Sequence, residues 1–264
     1  MSDIHPHQVA AKGFQAQADS YAASRPSYPK EAIEFISTLS KSSEPCHILD
    51  LGAGTGIMTK LLIEIEHVKV TAVEPVDNMR LKLESSVPQA HSLKGTSWSI
   101  PVASSSQDMV VLAQCFHWFD DLKSLQEIHR VLKPKGVLVL IWNMESQERS
   151  SWVAAMRKIY EMHDAKAPQY RKGNWKKIFE TEEAKQLYTL PLQTRQFTND
   201  YPVKREQIWS RILSKSYIAV LEQEERDKLH DLIESTLDQF DLPSEGDILY
   251  KHDTDLYWCY KHEQ

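Results

Sequence analysis

Three glycines at alternating positions, Gly52, Gly54 and Gly56, stand directly behind the run Ile48-Leu49-Asp50-Leu51. The order reads as a buried strand that ends in a sharp turn and opens into a helix over residues 57–66. Such a turn needs residues without a Cβ. The backbone reaches φ values that side chains resist, and a ligand comes close to the main chain. The first N–H groups of the helix are then unpaired and carry a partial positive charge toward that ligand. Glu74 ends the next predicted strand, where a carboxylate can accept both hydroxyls of a ribose; alone, it could equally be a surface glutamate. Asp50 narrows the choice. A pyrophosphate wants Gly-x-Gly-x-x-Gly and is repelled by an acid at the turn. Here the spacing is Gly-x-Gly-x-Gly and the acid precedes it, so the expected ligand is a nucleoside with a cationic amino-acid tail.

The elements that must hold these residues alternate. Strands are expected at 46–51, 68–73, 90–94, 108–113 and 137–142, with helices at 30–40, 57–66, 77–86 and 122–131 between them. Asp77 is expected to cap its helix, and Asp120 and Asp121 that of the helix at Leu122. Lys133-Pro134-Lys135-Gly136 reads as a turn. Alternation at short spacing implies a doubly wound, parallel sheet, with ligands outside the carboxyl ends of its strands. A further helix is expected at 14–24, ended by Arg25-Pro26-Ser27-Tyr28-Pro29. Beyond Asn143 helices are expected at 150–165, 203–213 and 222–239, and strands within 187–198 and at 255–260. No linker interrupts the chain. Residues 1–264 are therefore read as one domain, in which 14–143 hold the ligand and 144–264 complete the sheet and cover one end.

Composition removes several classes of function. A net charge of -6 without a lysine or arginine run argues against nucleic acid. The longest apolar runs, 110–116 and 137–142, fall far short of the ~20 residues that span a bilayer. Residues 1–12 are polar and do not resemble a signal peptide. Cys46, Cys115 and Cys259 are widely spaced and fit a reducing compartment, so a cytoplasmic protein is expected. His117, Asp120 and Asp121 are close together, but the two acids read as helix caps and no metal is expected.

Residues 48–56 together with Val73-Glu74-Pro75 resemble the first two motifs of class I S-adenosylmethionine-dependent methyltransferases. Gln114-Cys115-Phe116-His117-Trp118-Phe119 and residues 128–136 are similar to later motifs of that fold. The His-Trp-Phe triplet and residues 21–29 are similar to the small-molecule members that include trans-aconitate methyltransferase. The resemblance runs from about residue 14 to 143. It implies an α/β fold with a doubly wound, mostly parallel, seven-stranded Rossmann-like sheet and an added helical cover. It implies S-adenosylmethionine as cofactor and a small-molecule acceptor bearing a carboxylate, hydroxyl or thiol.

The resemblance also implies roles. Gly52, Ala53 and Gly54 would contact the methionine part, Asp50 its amino group and Glu74 the ribose, with Pro75 and Met79 beside the adenine. The family often has an Asp-Ala-Glu-type sequence where this chain has Thr96-Ser97-Trp98. The departure removes an acid that accepts the adenine amino group and leaves that contact to Thr96, to the segment's backbone or to water. Trp98 would stack on the ring or pack under Pro101. Gln114 would lie beside the methionine part.

Transfer from a sulfonium needs alignment and dryness more than bond chemistry. Tyr21, Tyr28 and Trp118 are candidates for an aromatic face toward the cation. A hydroxyl or thiol acceptor needs a base, for which His117 is the candidate, with a structural hydrogen bond as its other reading. A carboxylate acceptor needs a cation instead. Arg25 is placed for that on a segment that would lie over the site, and could equally hold the cofactor's own carboxylate. Tyr28, Trp118 and Trp152 are expected in the acceptor pocket. Two other readings stay open: a binding module without turnover, and a nicotinamide-dependent oxidoreductase.

Overall fold

The computed structural model describes residues 25–40, 45–164, 167–243 and 246–262. The expected helix at 14–24 and Tyr21 lie outside the described residues.

Helix α1 (Lys30–Ser37) starts behind Pro29, whose missing N–H costs nothing at a helix start. Then follow β1 (Cys46–Leu51), α2 (Ile57–Leu62), β2 (Val68–Val73), α3 (Asp77–Ser86), β3 (His91–Leu93), β4 (Gln107–Ala113), α4 (Leu122–Val131) and β5 (Leu132–Glu145). The later elements are α5 (Ser151–Tyr160), α6 (Glu182–Leu187), β6 (Gln193–Thr198), β7 (Tyr201–Val203), α7 (Arg205–Leu213), α8 (Ser216–Ala219), α9 (Gln223–Leu237), β8 (Ile248–Tyr250) and β9 (His252–Tyr260).

Seven strands form the main sheet in the order β3-β2-β1-β4-β5-β9-β6. β1 to β5 pair in parallel, and β9 runs antiparallel to both β5 and β6. This is the doubly wound, mostly parallel sheet that the alternation implies. The middles of its central strands, such as residues 109–113 and 137–142, are apolar because both faces are covered. Leu49, Leu51, Val110, Leu112, Leu138 and Leu140 pack on one face. Ile48, Met109, Val111, Val137, Val139 and Ile141 pack on the other. The ligand-bearing ends of the strands are thus carried on a rigid slab.

Two local readings change and one holds. Asp77 is the first residue of α3 and leaves the cap to Val76, because its carboxylate is taken by Arg80 at 3.1 Å and Lys94 at 2.9 Å. Asp121 does cap α4, accepting from Ser124 N at 2.7 Å. The turn at 133–136 is absorbed into β5 as an irregularity: Gln107 pairs with Leu132 and Met109 already with Val137. Lys135 takes up the bend with φ 61°.

The C-terminal part adds more than the expected helices. β7 and β8 form a separate two-stranded sheet that was not foreseen. They close a third core around Trp152, Met156, Tyr160, Ile208, Ile233 and Tyr250.

Candidate active site

At the end of β1 the three glycines all take left-handed φ values, 73° at Gly52, 57° at Gly54 and 89° at Gly56. The N–H groups of Gly52 and Ala53 donate to the Val73 carbonyl at 2.8 and 3.1 Å, which swings the turn across the end of β2. A Cβ on Gly52 would lie 2.9 Å from Cys115 Sγ, so the turn is seated against β4's exit. A Cβ on Gly54 would meet nothing nearer than Met79 Sδ at 3.8 Å. The main chain at Gly54 is therefore open to a ligand.

Glu74 is tied to this turn. Its two carboxylate oxygens accept from Gly54 N and Val76 N, each at 2.8 Å. Each oxygen keeps a second lone pair. Burial pushes its pKa up to about 7. Asp50 is wholly buried; Oδ2 accepts from Thr59 Oγ1 at 2.6 Å, and Oδ1 has no partner. Burial lifts its pKa to about 7 as well. An orphaned, buried carboxylate oxygen beside an open glycine turn fits a ligand that carries an ammonium group, and Glu74 fits one that carries hydroxyls.

Two hollows flank this centre. The glycine-turn hollow, ≈ 450 Å³ with its mouth, is bounded by Gly52, Ala53, Gly54, Tyr28 and Met58. The basic hollow, ≈ 610 Å³ with its mouth, is bounded by His117, Trp118, Tyr170, Glu145, Arg211 and Lys215. Gln114 and Arg25 line both. Gln114 stands at this junction with φ 63°, a conformation costing a non-glycine residue on the order of 1–3 kcal/mol. It is held by Gln114 N to Ile141 O at 2.9 Å and by Nε2 to Asn143 O at 3.1 Å. Arg25 is set by a strap, residues 25–29. Asn143 Nδ2 and Asn199 Nδ2 donate to Ser27 O at 3.0 and 2.8 Å, and Arg25 itself donates to Ser214 O at 2.9 Å.

The expected site residues thus divide. Asp50, Gly52, Ala53, Gly54, Glu74, Met79, Gln114 and Arg25 come together around the turn, with Pro75 half-buried beside Glu74. Tyr28 moves from the acceptor side to the glycine-turn side. Trp118 lines the basic hollow. Trp152 does not: it packs on Tyr250 at 4.9 Å in the third core. Thr96 only bridges to Ser99. Ser97 is buried against Ser124 at 2.9 Å, and the Trp98 indole donates to Asp121 at 2.7 Å. Ser97 and Trp98 are thus committed to α4 rather than to either hollow.

His117 is buried at the floor of the basic hollow, and its Nδ1 accepts from the Trp142 indole at 3.2 Å. Burial, with the charge of Arg25, pushes its pKa down to about 3. A ring so reluctant to take a proton is poorly suited to the base role. Among the described residues, no group of three or more His, Cys, Asp or Glu could hold a metal.

Arg25 was expected here; the other two cations of this wall, Arg211 and Lys215, escaped the sequence reading. Glu145 Oε1 accepts from Lys215 Nζ at 2.7 Å and faces Arg211 Nη2 at 3.0 Å, with all three side chains buried. The two cations hold the Glu145 carboxyl well below its usual range. Lys215 is pushed down to about 7 by burial, against the pull of Glu145 and with the repulsion of Arg211 and Arg25. Arg171, on the rim, is already paired with Glu161 and Asp164. The wall therefore presents Arg25, Arg211 and Lys215 against the single carboxylate of Glu145. A signal was present for Arg211, which falls on the same face of α7 as Ile208 and Ile212, where apolar residues belong; Lys215, past the end of that helix, gave none.

A strand-turn-helix with an open glycine backbone and two buried carboxylates, on a sheet with one antiparallel strand near its edge, fits a nucleoside that carries an ammonium tail. Residues 49–140 match the methyltransferase domain family. An uncharacterized methyltransferase-like protein of Schizosaccharomyces pombe is 31% identical over 227 residues, covering 84% of this chain and 85% of that one. The malonyl-[acyl-carrier protein] O-methyltransferase of Hahella chejuensis is 30% identical over 133 residues, 46% of this chain and 47% of that one. Phosphoethanolamine N-methyltransferase 2 of Haemonchus contortus, solved with S-adenosyl-L-methionine, shares the fold. Its TM-score is 0.51 at 15% identity, over 94% of this chain and 57% of that one. The chain belongs to the methyltransferase family, is an S-adenosylmethionine-dependent enzyme and takes S-adenosylmethionine as its cofactor. That assignment does not favour the nicotinamide reading or the reading without turnover. No described helix is long and apolar enough to cross a membrane.

Proposed function

We propose that the protein methylates a small molecule that enters the basic hollow as a carboxylate. One observation carries this reading: the hollow adjoining the glycine turn holds more buried cations than carboxylates. Bound cofactor supplies an electrophilic methyl group on a sulfonium. Gly52, Gly54, Asp50 and Glu74 would hold it, with Tyr28 along its side. Arg25, Arg211 and Lys215 would hold the acceptor's oxygens, and Gln114 would stand between the two ligands. A carboxylate arrives ionised, so no residue need remove a proton from it. The chain's contribution is alignment and exclusion of water, which is worth roughly 7–11 kcal/mol of barrier for well-oriented reactants. The similarity to small-molecule methyltransferases, and the oxygen-methylating activity in the name of the Hahella relative, support the same class. On this reading the chain acts as one cytoplasmic domain, with residues 144–264 building the acceptor side.

The test is a panel of carboxylic acids, phenols and thiols incubated with S-adenosylmethionine and read by mass spectrometry. Methyl esters of acids are the expected products, and turnover confined to phenols or thiols would end the reading. A binding signature accompanies it. An anionic acceptor favours the charged form of Lys215 and raises its pKa from about 7. Binding at pH 7–8 should therefore take up protons, seen as a dependence of calorimetric heat on the buffer's ionisation enthalpy. Proton release on binding would contradict the placement.

A further inference from the structure

Trp142 and His117 form a buried pair that the reaction as described leaves without a purpose. The indole N–H of Trp142 lies 3.2 Å from His117 Nδ1. An indole nitrogen only donates, so Nδ1 must offer its lone pair. The proton of the neutral ring then sits on Nε2. That nitrogen makes no hydrogen bond to a described residue, and it belongs to a residue that lines the basic hollow. The indole has little freedom to turn away. Trp142 is fully buried, stacked on Tyr170 at 4.5 Å and 15°, with Trp175 at 4.6 Å. Tyr170 is anchored in turn through its hydroxyl, which donates to Asp255 at 2.6 Å. The backbone of Trp142 is paired with Asp255 across β5 and β9.

We propose that Trp142 is a positioning residue that fixes His117 as an Nε2–H donor, and that this N–H hydrogen-bonds an oxygen of the bound acceptor. The inference rests on the carboxylate reading for the acceptor, but the state of the ring stands apart from it. The other charged groups facing the same hollow are Arg25, Arg211, Lys215, Glu145 and, paired with Glu161 and Asp164, Arg171. With His117 presenting N–H, the wall toward the acceptor is mostly donors, its one carboxylate being taken up by Arg211 and Lys215. That wall favours acceptors that arrive as anions.

The ring is read first, without substrate. Long-range proton–nitrogen NMR on protein labelled with nitrogen-15 at histidine should show His117 protonated on Nε2 from pH 8 down to pH 5. In Trp142→Phe, Nδ1 is freed to take a proton and the midpoint of the ring should move up. A wild-type ring protonated on Nδ1, or one titrating near ~6.5, overturns the proposal. The second reading is kinetic, with the best acid from the panel. His117→Gln keeps an N–H donor and removes the basic nitrogen; His117→Leu removes both. The glutamine enzyme should stay within a few-fold of wild type, while the leucine enzyme should show KM for the acid raised roughly 10- to 100-fold, the worth of one hydrogen bond to a charged group. Equal loss in both variants sinks the donor role. An Nε2–H ring in a protein that methylates no acid would sink the function proposed above and leave the pairing with Trp142 intact.

Discussion

Glu74→Ala is expected to weaken S-adenosylhomocysteine binding by about two to four orders of magnitude. Two hydrogen bonds from ribose hydroxyls to a charged oxygen contribute on the order of 1.5–3 kcal/mol each, and roughly 1.4 kcal/mol is a factor of ten. The loss reaches further than the ribose, because the same carboxylate accepts from Gly54 N and Val76 N. Without it the glycine turn keeps the two backbone bonds to Val73 O but loses the tie at Gly54, beside the ligand. Glu74→Gln separates these parts: one amide oxygen still accepts, while the NH₂ group opposes one of the two backbone donors. The glutamine variant should therefore fall between wild type and alanine. Calorimetry at pH 8 is the measurement, and wild-type affinity in the alanine variant would show that the ribose lies elsewhere.

The pH dependence has a definite sign. In the ligand-free protein burial raises Glu74 from 4.5, and Asp50 from 3.8, to about 7. Between those limits the folded chain holds more protons than the unfolded one. The contribution of these groups to stability is thus greatest at low pH and is lost as pH rises through about 7. Hydroxyls at Glu74 and an ammonium at Asp50 favour the ionised forms. Cofactor binding should then release protons near neutrality and tighten from pH 6 to pH 8, the reverse of what Lys215 predicts for the acceptor.

The cofactor half of the site was legible because its logic is local. Strand β1, the glycine turn and α2 are contiguous, and the glycines that permit the turn are the ones that admit the ligand. Glu74 was legible because the second strand of such a sheet must end beside the first. Thr96-Ser97-Trp98 was not, since its partners Asp121 and Ser124 lie on α4, across an intervening strand. Trp152 sits on an amphipathic helix and could have faced either core or pocket. Tyr250, far along the chain on β8, decides it. The acceptor wall was hidden for the same reason: Glu145, Arg211 and Lys215 read as three solvated charges until β5 and α7 are brought together. Residue type alone assigns a charged residue to the solvent face, and it fails where two cations share one buried carboxylate.

That sharing makes Glu145→Gln the substitution with the largest expected effect on the fold. Removing one partner of a buried ion pair strands the other, at a cost of about 3–5 kcal/mol. Here two cations, Arg211 and Lys215, lose the carboxylate between them. Lys215 can relieve part of the cost by giving up its proton. In wild type its pKa is about 7, already below the 10.5 of an unburied lysine, and Glu145 is what holds it up. Without Glu145 it falls further. The unfolded chain then binds more protons than the folded one over a wider range, so the variant's stability rises with pH where wild type has levelled off. The deficit read by urea unfolding should accordingly be larger at pH 6 than at pH 8.5. Glu145 also competes with any anion for the same two cations. A simple dicarboxylate such as succinate should therefore raise the melting temperature of Glu145→Gln more than that of wild type. An equal shift in both proteins would mean that the buried cations serve the fold alone and do not face the acceptor.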